Sequence, residues 1–192
     1  MTTYISLGST CAVANYLNTI GIRQSSYPFD WCDVNIKQLN QTLLTNFENY
    51  TDLSIVKYSE NYPYYNGEQF IDKGSSVFKN STGIKFAHEL TEKYDIDIFK
   101  QKLSSRIEKF KQLNKPHFIR YEQGKQKSYY NEELLQLISN LTTMFKDFNL
   151  TLLVPHTFNI DKYPYINVVK YDCEYTDWRN ELAFKELNRF LF

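Results

Sequence analysis

The segment YISLGSTCAVANYL, residues 4–17, sets a cysteine directly after a Gly-Ser-Thr turn, between a strand-like run and a run with helical spacing. A thiol so placed can do covalent chemistry. In the first turn of a helix, free N–H groups and the positive end of the macrodipole favour the thiolate of Cys11. The same N–H groups, with Gly8, Ser9 and Thr10 leading into them, can hold an oxyanion or an anionic ligand. Packing is the competing role, because free cysteine is among the most buried residue types and often fills a strand–helix junction. Ser9 reads as a turn or capping residue rather than a second nucleophile.

A thiol nucleophile needs a base, and the chain has three histidines. His156 follows LTLLVP at the carboxyl end of a strand, and is either a base on the same edge as Cys11 or a loop histidine bonded to backbone. His117 opens HFIRYE at the opposite edge, roughly 15–20 Å away at ~3.3 Å per residue, and reads as a surface residue. His88, in KFAHEL, falls where the pattern gives no position. Asp30, in SSYPFDW, lies between Phe29 and Trp31, so it is expected to be part-buried and paired with Arg120, Arg23 or a histidine; it is the natural third catalytic member, orienting the base, or else it caps the next helix or bonds turn amides. Arg120 is expected to be buried: it either bridges to Glu122 or Asp30, or clamps a substrate carboxylate or phosphate. Trp31, with Tyr27, Tyr64 and Tyr65, suits a sugar or peptide cleft, although 16 tyrosines and 14 phenylalanines also cluster as ordinary packing. Cys32 and Cys173 read as core residues.

These side chains need elements to carry them. Thr3 to Gly8 reads as a strand, and Thr10 as the N-cap of a helix with Val13, Ala14, Leu17 and Ile20 inward, stopped by Gly21. A second helix is expected from Val34 to about Phe47, and a Tyr/Pro/Asn/Gly loop over residues 61–67. Residues 68–94 carry no clear period. A helix begins at Asp97, Pro116 introduces the strand HFIRYE, and Asn131 caps a further helix. Strands follow at 150–154 and 167–171, then a helix from about Thr176 with Ala183, Leu187 and Phe190 inward. The apolar run LTLLV suits a strand covered on both faces. Strand–helix alternation therefore predicts an α/β fold, a single domain over residues 1–192 with a mostly parallel sheet flanked by helices, Rossmann-like in its three layers. In such a sheet the ligand crevice lies beyond the carboxyl ends of the strands, which is where Cys11 falls.

Composition bounds the partners. The 192 residues are 42% hydrophobic, with 22 basic and 22 acidic side chains and no long block of either sign. Nucleic acid is not the expected partner, and no run of ~20 apolar residues or signal-like start points to a membrane. Three cysteines without paired spacing predict reduced thiols, no zinc site and a cytoplasmic setting. No cofactor is expected, and the five Asn-x-Ser/Thr sequons carry no weight in that setting.

The combination of SLGSTC and SSYPFDW with later FAHEL, RIEKF and FIRYE resembles a bacterial and viral family of putative papain-like cysteine peptidases. The resemblance covers roughly the first two thirds of the chain, most specifically through SLGxxC and PFDW. It implies that Cys11 is the nucleophile, that His88 is the base, and that Asp30 and Arg120 belong to the signature; if viral, the chain works in a host cell. It also brings a papain-like α+β fold as the alternative architecture. Peptide or amide hydrolysis is the implied reaction, with acyl transfer or ester cleavage on a glycan or small molecule as the variant. A non-catalytic anion-binding domain is the reading from another class.

Overall fold

The computed structural model describes residues 2–57, 62–63, 69–71, 75–86, 95–123, 131–163, 166–172 and 181–192. Among these, four strands form a parallel sheet in the order β1 (Tyr4–Ser6), β7 (His117–Tyr121), β8 (Asn149–Pro155), β9 (Ile166–Tyr171). Helices cover both faces. On one lie α2 (Ile36–Leu44), α3 (Ile96–Lys111) and α4 (Asn131–Met144), which pack Leu39, Phe99, Phe110 and Leu141 on Ile5, Phe118 and Leu152. On the other lie α1 (Ala12–Thr19) and α5 (Glu181–Leu191), which close over Ile119, Tyr121, Leu153 and Tyr171. The expected three-layer α/β fold is therefore observed, and β8 is buried from Leu150 to Pro155, as its unbroken apolar run requires.

Residues 53–86 hold a second, antiparallel sheet: β2 (Leu53–Lys57), β5 (Ser76–Asn80) and β6 (Lys85–Phe86), in that order, with β5 and β6 inside the part without a readable period. A two-stranded ribbon, β3 (Tyr62–Pro63) with β4 (Gln69–Ile71), lies between β2 and β5 in the chain. The antiparallel sheet is tied to the parallel one by residues 33–34. Asp33 bridges Lys85 on one side, with N–O distances of 2.9 and 3.3 Å, and Val34 bridges Ser9 on the other at 3.3 Å. The second helix consequently starts later than its apolar spacing suggests. Val34 is held extended, and Asn35 caps α2 through a reciprocal pair of bonds with Gln38.

Two expectations at the amino edge are corrected. His117 is buried, not a surface residue: its Nε2 lies 2.7 Å from Thr151 Oγ1, and its ring packs against Tyr4 and Phe190. Phe190 covers this ring from a position that is 43% exposed, so it is not an inward core residue. His88, Cys173, Tyr64, Tyr65 and the expected helix start near residue 176 lie outside the described residues.

Two predictions arise here. Gly8 has φ +74°, and a Cβ added there would stand 2.2 Å from Val34 Cγ1. Gly8→Ala should lower stability by about 2–4 kcal/mol in urea denaturation, combining overpacking with an αL backbone. Burial holds the His117 imidazole below its ordinary range. The unfolded chain therefore binds the extra proton first, so stability is full above pH ~6.5 and falls as pH drops through that value toward the folded pKa. His117→Gln should remove that part of the slope when denaturation midpoints are compared across pH.

Candidate functional site

The turn after β1 fixes the thiol. Leu7 extends the pairing with β7 through its N–H to the Ile119 carbonyl at 2.9 Å, and then Gly8 and Ser9 both take positive φ, +74° and +76°. Glycine adopts that backbone freely, whereas Ser9 is held in it by the bridge to Val34. The chain then enters α1. Thr10 Oγ1 accepts from the Ala12 N–H at 3.3 Å, so its cap is local, and Cys11 itself occupies the N-cap position rather than the first turn. The Cys11 carbonyl takes the Asn15 N–H at 2.9 Å, while its side chain is 4% exposed and packs in the cluster under α1. Cys11 is thus at the carboxyl edge of the sheet, against a helix N-terminus, and buried.

Arg120 explains why the turn holds. Its guanidinium is fully buried: Nε pairs with Glu122 Oε1, Nη1 donates to the Leu7 carbonyl at 2.8 Å, and Nη2 donates to the Val34 carbonyl at 3.2 Å. Of the two roles expected for Arg120, the internal bridge is the one seen, and its acidic partner is Glu122 rather than Asp30. Glu122 is anchored in turn, its N–H on the Leu153 carbonyl and its carbonyl accepting from Tyr171 Oη at 2.6 Å. Its second carboxylate oxygen, Oε2, is buried with no hydrogen-bond partner.

Asp30 serves a neighbouring turn. Its Oδ2 accepts from Arg23 Nη2 at 2.7 Å, from Arg23 Nε at 3.3 Å and from the Tyr27 N–H at 2.9 Å. Burial raises its carboxyl above the usual range, more than Arg23, the Tyr27 amide and Arg106 lower it. Arg23 also lies 5.0 Å over the ring of half-buried Trp31, so Trp31 and Asp30 share one cation. Tyr50 Oη donates to the Pro28 carbonyl at 2.8 Å, fixing the far side of the same turn. Cys32 is sealed there. Burial pushes its thiol well up, reinforced by the negative charges of Asp33 and Asp30 and then Cys11, and opposed by Arg120.

Asp33, which the sequence reading passed over, stands between Cys32 and Val34 on the segment that joins the two sheets. Its half-buried carboxyl is raised by burial, against the opposing charges of Lys85 and Arg120. Its only sequence signal is an acid set in a strand-like WCDV. His156 lies at the carboxyl edge as expected, but β7 separates its strand from β1, about 10 Å of strand spacing. Its backbone N–H bonds the Tyr171 carbonyl at 3.0 Å and its exposed ring is 3.7 Å from Asp172. The structure thus gathers Gly8, Ser9, Thr10, Cys11, Cys32, Asp33, Arg120 and Glu122 around one junction. Asp30 and Trp31 flank it and His156 stands apart. Among the described residues no group of three or more His, Cys, Asp and Glu side chains is arranged to hold a metal ion, and no helix is long and apolar enough to cross a membrane.

Comparison with known proteins gives two findings. A family model described as "Putative papain-like cysteine peptidase (DUF1796)" matches residues 2–159, and therefore spans the whole junction. The chain is also 26% identical to Uncharacterized protein R408 of Acanthamoeba polyphaga mimivirus, over 97% of this chain and 96% of that relative. No solved structure matches.

Replacing the buried guanidinium tests the junction. Arg120→Met leaves Glu122 as an uncompensated buried charge and two carbonyls without donors, and should cost about 3–5 kcal/mol in urea denaturation. The double variant Arg120→Met/Glu122→Leu should recover part of that loss, because the orphaned charge is gone.

Proposed function

The chain belongs to the putative papain-like cysteine peptidase family, and on that premise we propose that it is a cysteine hydrolase of peptide amide bonds with Cys11 as nucleophile. The observation that carries this is the position of Cys11, at the carboxyl edge of the first parallel strand and the N-terminus of α1. In this reading the sulfur attacks the scissile carbonyl and forms a C–S bond. N–H groups at the start of α1 stabilise the oxyanion. Collapse breaks the C–N bond, the amine leaves with a proton, and water then cleaves the thioester to release the acid and restore the thiol. An alcohol or amine in place of that water would make the same intermediate an acyl donor.

His88 is the proposed proton carrier, on the resemblance that KFAHEL carries in the sequence. What supports it is the point at which the chain leaves β6. Lys85, in the strand that ends at Phe86, is bridged to Asp33 beside Cys32. Asp30 is a positioning residue in this reading, acting through Arg23 and Tyr27 on the turn that carries Trp31 and Cys32. The 4% exposure of Cys11 favours a second reading, in which the thiol is packing and the domain binds a ligand without turnover.

Alkylation separates the two. Iodoacetamide at neutral pH should label Cys11 at least tenfold faster than Cys32, whose thiol is held protonated, as read by peptide mass spectrometry. Cys11→Ser should abolish cleavage of fluorogenic peptide amides with the thermal midpoint unchanged. Slow, equal labelling of all three cysteines would overturn the hydrolase reading in favour of the second.

A further inference from the structure

Arg23 is gripped on three sides and still has donors to give. Its Nη2 donates to Asp30 Oδ2 at 2.7 Å and to Ser26 Oγ at 2.9 Å, and its Nε reaches the same Asp30 oxygen at 3.3 Å. The guanidinium also lies 5.0 Å over the Trp31 ring. No described residue accepts from its Nη1, although the side chain is only 14% exposed. The rest of the loop repeats the pattern. Lys109 Nζ, in the last turn of α3, donates to Ser25 Oγ at 3.2 Å. Each of the two serine hydroxyls therefore accepts from a cation and keeps its own proton, for which no described residue is the acceptor. Asp30 is the carboxylate bonded to this loop, and it is 2% exposed with Oδ2 already taking three N–H bonds. Two cations against one buried carboxylate leave positive charge facing outward.

We infer that Arg23 Nη1, the Ser25 and Ser26 hydroxyls and Lys109 form a binding site for a phosphate group. Bonds run unbroken from Lys109 through the two adjacent serines to Arg23, so all four donors attach to one short stretch of loop. Arg23 is fixed in advance by Asp30, Ser26 and Trp31, so little freedom is lost when an anion binds. A phosphate group brings three acceptor oxygens and close to two negative charges, enough to take the guanidinium edge, the hydroxyls and the ammonium together. A carboxylate, with two oxygens in one plane, leaves part of that set unused. The loop stands at the amino end of β1, where Thr3 Oγ1 bonds Gln24 Oε1 at 3.2 Å, whereas Cys11 lies beyond the carboxyl end. The site is thus separate from the thiol and independent of the hydrolase reading.

Titration of the full chain with inorganic phosphate, phenyl phosphate and benzoate tests it, at pH ~8, where the phosphate group is a dianion, and at constant ionic strength. Two readouts serve: Trp31 fluorescence in a Trp178→Phe background, and the rise in thermal midpoint of the unsubstituted chain. At least one phosphate compound should give a saturable change in both, and the tighter of the two tells free phosphate from a phosphate ester. Benzoate should bind about tenfold more weakly than phenyl phosphate or worse. Arg23→Lys keeps a cation for Asp30 but has no second edge, and should weaken phosphate binding about tenfold. Lys109→Gln and Ser25→Ala, at positions outside the core, should each weaken it about threefold or more, and they decide the matter if Arg23→Lys does not fold. No saturable response to either phosphate compound overturns the site. So does benzoate binding as tightly as phenyl phosphate, or an affinity unchanged in both Lys109→Gln and Ser25→Ala, which would mark an adventitious ion only.

Discussion

A buried guanidinium that donates to the ends of two chain segments decides the geometry of this molecule. Arg120 lies on β7, next to the edge strand β1, and reaches the carbonyls of Leu7 and Val34 while Glu122 offsets its charge. An exposed edge at β1 would be open to pairing with other chains. Here the Ser9–Val34 and Asp33–Lys85 bridges cover the continuation of that edge and lead on into β6, β5 and β2. A guanidinium suits the task because it is always charged and its donors diverge in a plane, so one side chain can serve several acceptors at once. Lysine offers no such fork.

The same constraint accounts for the strained turn. Ser9 at φ +76° is an unfavourable conformation for a residue with a Cβ, and it follows Gly8, where the approach of Val34 leaves no room for one. Both conditions come from pressing the Val34 segment against the end of β1. The turn before α1 is therefore held from the α2 side of the sheet by bonds to Leu7 and Val34, while α1 adds its apolar face and the Ala12 and Asn15 N–H bonds to Thr10 and Cys11.

What could be read from the sequence was what periodicity and burial dictate. The parallel strands, α3 and α4 announce themselves because their inward residues must be apolar at spacing 2 or 3.6, as LTLLV and the Phe99, Leu103, Ile107, Phe110 series show. The antiparallel sheet did not, because strands as short as β6 carry too few residues for any period, and β2 faces water along much of its length. Burial of His117 was equally hidden. It depends on Tyr4, Thr151 and Phe190, which come from three distant parts of the chain. At the candidate site, Cys11, Asp30 and Arg120 were visible as residue types in unusual settings, and the Arg120–Glu122 pair follows from the rule that buried charges are matched. Asp33 was not visible, since its significance comes from its own bridge to Lys85 and from the bridge of the next residue, Val34, to Ser9, both distant in sequence.

The extent of the family match divides the surroundings of the thiol in two. Residues 2–159 include Leu7, Val34, Asp33, Arg120 and Glu122, so every group of the clamp lies within the shared segment. Tyr171, Ala183, Phe184 and Leu187, which complete the apolar cluster around Cys11 on the α1 face, lie beyond it. The side that fixes the turn, with the unpartnered Glu122 Oε2, is thus built from residues the family model spans, while the apolar cluster that includes Cys11 is completed by β9 and α5. Burial of Cys11 draws on both parts, because Ile119, Tyr121 and Leu153 of the same cluster lie within the matched segment, whereas the clamp on the turn lies wholly within it. Low exposure of the thiol therefore belongs to a cluster that both parts build, and the geometry of the turn before it has its origin in the Arg120 clamp.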